Sequence, residues 1–249
     1  MNEMLLSLEP EWPLIVPAIM ILGYLMYAWW ENATRTPEAD EASRLPIYNR
    51  TMLWLWGLTA ACVAGWLVSG RTLAELGLTA TEPGWRGWIA WGLVGVGSAY
   101  LAYSVIAPAL SARLRQQIRS QYSVLDIDFM RPRTNAEHRR FKLLSVTPGI
   151  TEEIIFRAFL IAMFALYMPV AAAAVMAVVL FGCGHFYQGF AGVVRTSMIG
   201  GLLTTVYLTG GSLWPAIILH ILMDLAAGVQ FQILDAFEED DMVADGVGA

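Results

Sequence analysis

Long uncharged stretches of apolar residues alternate with short polar connections along most of this chain. Residues 12–30, 51–70 and 87–110 each reach or approach the roughly 20 residues that an α-helix needs to cross the hydrocarbon of a bilayer. Residues 158–184 carry no charge at all, and Pro169 near the middle of this stretch predicts a turn between two helices. The pattern therefore predicts membrane-spanning helices.

The pattern predicts an all-α, polytopic transmembrane bundle of about seven spans, within a range of six to eight. Composition agrees, because 57% of the residues are hydrophobic and only 14% are charged, whereas soluble domains carry about 25% charged residues. Tryptophans at the ends of the apolar runs are typical of an aromatic belt at the membrane interfaces. The expected spans lie near residues 12–30, 51–69, 88–108, 149–167, 170–187, 193–209 and 213–233.

The chain divides into four regions by charge and by apolar pattern. Residues 1–110 hold three plain spans, and residues 111–148 form a basic cytoplasmic or interfacial connection. Residues 149–233 form a second group of spans that carries most of the unusual polar residues. Residues 234–249 form an acidic tail.

Basic residues predict the orientation in the membrane. If the N-terminus lies outside, the outer loops hold only Arg71 and Arg86, and nearly all other Arg and Lys residues fall in inner loops. This positive-inside asymmetry predicts an integral protein of the plasma membrane with a cytoplasmic C-terminus. The net charge of −6 arises largely from the two ends of the chain and gives no reason to expect a nucleic-acid partner.

Two carboxylates and a guanidinium occur together in an otherwise apolar span, in the sequence TEEIIFRAF. Charged side chains are costly in hydrocarbon, so Glu152, Glu153 and Arg157 mark a candidate functional site. Glu153 and Arg157 are four residues apart, on one face of a helix and in the favourable order for an ion pair. Glu152 points about 100° away and has no local partner. The spacing predicts a structural role for Glu153 and a chemical role for Glu152.

Two later spans each carry a histidine. His185 follows the apolar run AVVLFGCG, and His220 precedes Asp224 by one helical turn. If the spans converge, Glu152 joins these three residues in a cluster of acids, bases and candidate metal ligands. Such a cluster can activate water and polarise a carbonyl group, with or without Zn²⁺. Water is the expected nucleophile, because no Ser, Cys or Thr lies in a recognisable nucleophile motif.

The three motifs together resemble the signature of the CPBP intramembrane proteases, a family that includes the CAAX prenyl endopeptidases and bacterial members linked to bacteriocin processing. The motifs are EExxxR at Glu152, Glu153 and Arg157, FxxxH at Phe181 and His185, and HxxxD at His220 and Asp224. The resemblance implies a bundle with a membrane-embedded cavity that opens toward the cytoplasm. It also implies an endopeptidase that cleaves a peptide or membrane-protein substrate, with or without a lipid group.

The resemblance also implies a role for each motif residue. Glu152 and His185 would activate the attacking water, His220 and Asp224 would stabilise the oxyanion, and Glu153 would pair with Arg157. Prenyl endopeptidases typically have Asn at the last position, and an ionised Asp cannot donate a hydrogen bond to an oxyanion. We therefore expect Asp224 to orient His220, to be protonated, or to bind a metal.

Two other functions fit the same residues. A non-catalytic immunity or scaffold protein would keep them for structure, and a proton-coupled carrier would use them as a relay. A carrier of this kind is expected to contain inverted repeats, and the sequence shows none. The predicted spans also place His220 about 10 Å deeper in the membrane than Glu152 and His185, at 1.5 Å per residue.

Overall fold

The computed structural model describes residues 11–35, 43–81, 83–125 and 127–238. The predicted acidic tail lies outside the described residues from position 239 onward. The described residues form α-helices joined by short connections, with two 3₁₀ turns at Asp128–Met130 and Phe186–Gln188 and one π-helix at Glu153–Leu160. The α-helices are α1 Trp12–Ala33, α2 Leu45–Val68, α3 Trp85–Leu110, α4 Ala112–Ser123, α5 Asn135–Glu152, α6 Ile161–Ala165, α7 Val170–Gly184, α8 Gly189–Gly210 and α9 Trp214–Ala236.

The fold is the predicted all-α bundle of membrane-spanning helices. Among the described residues, five segments are long and apolar enough to cross a membrane: Trp12–Ala33, Leu45–Val68, Trp85–Leu110, Phe186–Gly210 and Trp214–Ala236. Large apolar side chains point outward from these helices, among them Trp88 and Val96 on α3. A soluble protein rarely exposes so much apolar surface, so these faces suit contact with lipid.

The fourth predicted span is part of a longer, composite helix. This composite helix, defined as residues 135–165, joins α5, the π-helix and α6 without a break. The sequence analysis ended the connection at residue 148 and began the span at 149, whereas the structure has one continuous helix across this point. The helix begins well before the apolar run because a capping box fixes its start: Glu137 N–H donates to Thr134 Oγ1 at 3.2 Å, and Thr134 N–H donates to a Glu137 carboxylate oxygen at 3.1 Å.

The π-helix within the composite helix has no counterpart in the predictions. It covers Glu153–Leu160, and its residues are all buried. A wider i→i+5 turn is rare and is found mostly at functional sites, since it changes the direction of side chains along the helix. Here it begins at the second glutamate of the EExxxR motif.

The composite helix packs closely against α9 at Gly149. A Cβ atom added to Gly149 would lie 2.4 Å from Ile221 Cγ1 and 2.9 Å from the backbone nitrogen of Ile221. Ile221 follows His220 in the chain, and Gly149 lies one turn before Glu152 and Glu153. This contact therefore sets the spacing between the two helices that carry the predicted site.

We expect Gly149→Ala to destabilise the protein by about 1–3 kcal/mol, as overpacking of a close contact does. The added methyl group would also move the composite helix away from α9. Thermal unfolding of the detergent-solubilised protein measures the loss of stability. Gly201→Ala is the matched control, since no atom lies within 4 Å of a Cβ at that position. Equal stability of the two variants would contradict the prediction.

Candidate active site

A buried ion pair forms the base of the site. The Arg157 Nη1 atom lies 3.0 Å from Glu153 Oε1, as the i, i+4 spacing predicted. Both side chains are buried, with 0% and 1% of their surface exposed for Glu153 and Arg157. Arg157 also donates through Nη2 to the carbonyl oxygen of Gly200 at 3.4 Å. Its guanidinium carbon lies 4.0 Å from the centre of the Phe181 ring, a cation–π contact.

His220 is held by the same carboxylate oxygen. Its Nδ1 atom lies 2.7 Å from Glu153 Oε1. An ionised carboxylate can only accept, so the hydrogen of this bond belongs to His220 Nδ1. The Nε2 atom of His220 then faces two further carboxylates, Glu152 Oε2 at 3.9 Å and Asp224 Oδ2 at 3.8 Å. Three acidic side chains therefore surround one imidazole ring.

Asp224 was expected to orient His220, and this stays a prediction: Asp224 lies on the Nε2 side of the ring, whereas Glu153 holds Nδ1. The separation of 3.8 Å between His220 Nε2 and Asp224 Oδ2 is longer than a hydrogen bond, whereas Glu153 lies at bonding distance. Glu153 thus has two partners, Arg157 and His220, and not the single partner that the sequence predicted. The contact joins the composite helix to α9, so helical spacing alone could not show it.

His185 lies where α7 ends and the chain turns into the 3₁₀ segment. Its Nδ1 atom donates to the carbonyl oxygen of Phe181 at 2.8 Å. This bond assigns the hydrogen to Nδ1 and leaves the Nε2 lone pair of the neutral ring free to accept a proton. The Phe181 ring packs between the two histidines, with ring centres 4.8 Å from His185 and 6.1 Å from His220.

Glu152 is the least engaged of these groups. Its Oε2 atom is buried, and among the described residues it has no hydrogen-bond partner. A buried carboxylate oxygen without a donor is costly, so such an atom in a native fold calls for a reason. The side chain lies where two cavities meet, and both are lined by Glu152 and His185.

The two cavities differ in their walls. The larger, about 530 Å³, lies between α1, α2 and the composite helix and is mostly apolar, with Arg35 and Arg50 among its charged residues. We call it the α1–α2 cavity. The smaller, about 240 Å³, is reached by His220, Asp224 and Arg195, and we call it the α8–α9 cavity. A chain that passed through both would cross Glu152 and His185.

The side chains of the site offer few free donor atoms to a metal ion. Within the described ranges, no group of three or more His, Cys, Asp and Glu side chains is arranged to hold an ion. The Nδ1 atoms of both histidines are engaged, by Glu153 and by the Phe181 carbonyl, which leaves one Nε2 atom on each ring. The zinc ion considered for Glu152, His185, His220 and Asp224 stays a prediction, and the mechanism below uses side chains alone.

The arrangement of these residues can be compared with known proteins. Residues 139–226 match the family model described as type II CAAX prenyl endopeptidase Rce1-like. Over these residues the chain is similar to the CPBP family that the three motifs resemble. No curated protein and no solved structure matches it. The match begins in α5 and ends in α9, so it contains the three CPBP motifs and leaves α1 to α4 outside.

The CPBP motif residues converge although they come from separate helices. The predicted mismatch in depth is absent, because Glu152 lies near the middle of the composite helix and not at the start of a span. Two polar residues outside the motifs also line both cavities and were not predicted from the sequence. These are Thr51 on α2 and Tyr187 in the 3₁₀ turn, and the position of Tyr187 two residues after His185 was the available signal.

Proposed function

We propose that this protein is an intramembrane endopeptidase that hydrolyses a peptide bond with a water activated by Glu152. Its membrane-spanning helices and its protease-family domain define its general class. The proposal rests on one observation: the unpartnered Oε2 of Glu152 lies 3.9 Å from His220 Nε2, at the junction of two cavities that His185 also lines.

In the proposed reaction a proton moves from water to Glu152 and then to the leaving nitrogen. A water molecule between Glu152 and His185 gives one proton to the Glu152 carboxylate while its oxygen attacks the carbonyl carbon of the substrate. The carbonyl π electrons move onto the oxygen and form an oxyanion. When the tetrahedral intermediate collapses, the C–N bond breaks and Glu152 returns the proton to the leaving nitrogen. The products are a carboxylic acid and an amine, which together account for both hydrogens of the water.

His220 supplies positive charge beside the oxyanion. Glu153 fixes the ring through Nδ1, so that Nε2 is directed toward the reacting groups. Glu153 is in turn held in place by its ion pair with Arg157. A preorganised charge of this kind stabilises the transition state without having to move during the reaction.

The cavities suit an extended segment of peptide. The α1–α2 cavity has room for apolar side chains or a lipid group, and the α8–α9 cavity has the more polar wall. We propose a peptide or membrane-protein substrate, with or without a lipid group, that is cleaved near the cytoplasmic face of the plasma membrane. In this orientation the N-terminus lies outside the cell.

Terminal proteomics tests the proposal directly. A strain that lacks the gene is complemented with the wild-type protein, with Glu152→Ala, or with Glu75→Ala, in which an exposed loop carboxylate is removed as the control. We expect protein termini that appear with the wild type and with Glu75→Ala to be missing with Glu152→Ala, and the uncleaved precursor to accumulate. Equal protein levels in the membrane must be shown by immunoblot.

The two alternative functions predict different results. A non-catalytic immunity or scaffold protein would give the same termini in all three strains and would lose stability in the motif variants. A proton-coupled carrier would also leave the termini unchanged, but Glu152→Ala would abolish uptake or efflux of a solute. Either result would overturn the assignment as a protease.

A further inference from the structure

Tyr187 lies beside the catalytic groups but outside the three motifs. The 3₁₀ turn Phe186–Gln188 follows His185 directly and ends at Gly189, whose φ of +74° is strained for a residue with a side chain. This sharp turn brings Tyr187 back over the site. Its ring lies 5.7 Å from the His185 ring and contacts Phe129 edge-on at 5.9 Å.

The side chain of Tyr187 lines both cavities, as Glu152 and His185 do. The other tyrosines in the cavity walls each line one of them: Tyr24 and Tyr27 the α1–α2 cavity, and Tyr122 the α8–α9 cavity. A substrate that passes from one cavity to the other therefore meets the Tyr187 side chain where it meets Glu152.

The hydroxyl group of Tyr187 has a proton to donate. Its oxygen accepts a hydrogen bond from Gln188 Nε2 at 3.2 Å, and in the described part of the chain no acceptor is bonded to its hydrogen. Tyr122 differs in this respect, since its hydroxyl donates to Gln230 Oε1 at 2.5 Å. A phenol that already accepts one bond is also a stronger donor, because hydrogen bonds in a chain polarise each other.

The oxyanion needs a neutral hydrogen-bond donor that the motif residues do not supply. Asp224 when ionised cannot donate to an oxyanion and would repel it. His220 has one free nitrogen, which faces Glu152 and Asp224. An oxyanion is normally bound by two or more donors, so one donor position next to His220 is open.

We propose that Tyr187 is a further catalytic residue, whose hydroxyl donates a hydrogen bond to the carbonyl oxygen of the substrate. The inference rests on the proposed function. As water attacks, negative charge grows on that oxygen. The hydrogen bond from the Tyr187 hydroxyl to this oxygen becomes shorter, and the proton stays on Tyr187. When the C–N bond breaks, the charge returns to the carbonyl group and the hydrogen bond weakens. No proton or electron is gained or lost by Tyr187.

The test removes one oxygen atom. Tyr187→Phe keeps the ring contacts with His185 and Phe129 but has no donor. Tyr100→Phe is the matched control, because Tyr100 is exposed on α3 and lines neither cavity. Gln188→Glu is a second variant that keeps the phenol but adds a carboxylate next to it, which draws the phenol proton away from the substrate. Pulse–chase labelling follows the termini that Glu152→Ala abolishes, so the cell's own membrane proteins are the probe.

We expect Tyr187→Phe to slow processing by about 100-fold, the effect of removing one oxyanion donor. Gln188→Glu should also slow it, and Tyr100→Phe should match the wild type, with equal thermal stability in detergent for all of them. Wild-type rates in both Tyr187→Phe and Gln188→Glu, with processing abolished in Glu152→Ala, would overturn the role of Tyr187 alone. Unchanged termini in Glu152→Ala would overturn the proposed function, and the role of Tyr187 with it.

Discussion

Glu152→Gln is expected to lower the rate of substrate cleavage by about 10⁴-fold while the protein stays folded. General acid–base catalysis contributes 10²–10⁴-fold, and Glu152 is proposed to act as base toward water and then as acid toward the leaving nitrogen. Glutamine has the same shape but cannot accept the proton. The measurement is cleavage of a peptide that spans a terminus found by proteomics, with the variant and the wild type reconstituted in liposomes.

His185→Ala and His220→Ala should act in the same direction, since the first removes the second acceptor near the water and the second removes the charge beside the oxyanion. Thermal unfolding must show that each variant is folded, and Glu75→Gln serves as the control. Full activity in any two of the three motif variants would contradict the mechanism. Loss of wild-type activity on chelation, with recovery when Zn²⁺ is added, would show that a metal takes part.

The helices of the bundle could be predicted because hydrocarbon selects for length and apolar composition. The predicted runs at 12–30 and 88–108 fall within α1 and α3, and the run at 51–69 ends one residue beyond α2. The start of the composite helix could not be predicted in this way, because residues 135–148 are polar and Pro148 lies inside the helix. The capping box of Thr134 and Glu137 is a local signal, but the packing against α2 and α9 that keeps this polar segment helical depends on tertiary structure.

The π-helix also has no apolar signature. All residues of Glu153–Leu160 are buried and most of them are apolar. The sequence therefore has no periodicity that would distinguish an i→i+4 from an i→i+5 hydrogen-bond pattern. Its start at Glu153 nevertheless bears on the site, because Glu153 reaches both Arg157 on its own helix and His220 on α9.

The sequence identified candidate residues for the site, but it could not show the contacts that these residues make between helices. Intramembrane charges are rare, which drew attention to Glu152, Glu153 and Arg157. The i, i+4 rule gave the correct ion pair within one helix. The same rule placed Asp224 near His220, at 3.8 Å from Nε2, but it could not show that Glu153 reaches Nδ1 from another helix at 2.7 Å. Which of two carboxylates binds a histidine is decided by helix packing, here by the close approach at Gly149.

Glu153→Gln is expected to reduce the free energy of unfolding by about 3–5 kcal/mol, the cost of leaving one charge of a buried ion pair without its partner. Glutamine fills the same volume, so no cavity contributes. Arg157 would remain buried against Phe181 with one hydrogen bond to the Gly200 carbonyl and no counter-charge at Nη1. Reversible unfolding in mixed detergent micelles, followed by circular dichroism, gives the free energy of each variant.

The exposed pair between Arg50 and Glu31 is the control for this ion pair. Its side chains are 44% and 38% exposed, so Glu31→Gln should cost at most about 1 kcal/mol. The double variant Glu153→Gln/Arg157→Met removes both buried charges and should recover much of the lost stability, because a buried pair is often replaced by apolar residues at little cost. It should not recover activity, since His220 Nδ1 would still lack an ionised partner. If Glu153→Gln is no less stable than Glu31→Gln, or if the double variant is the least stable of all, then Glu153 and Arg157 do not act as a buried pair.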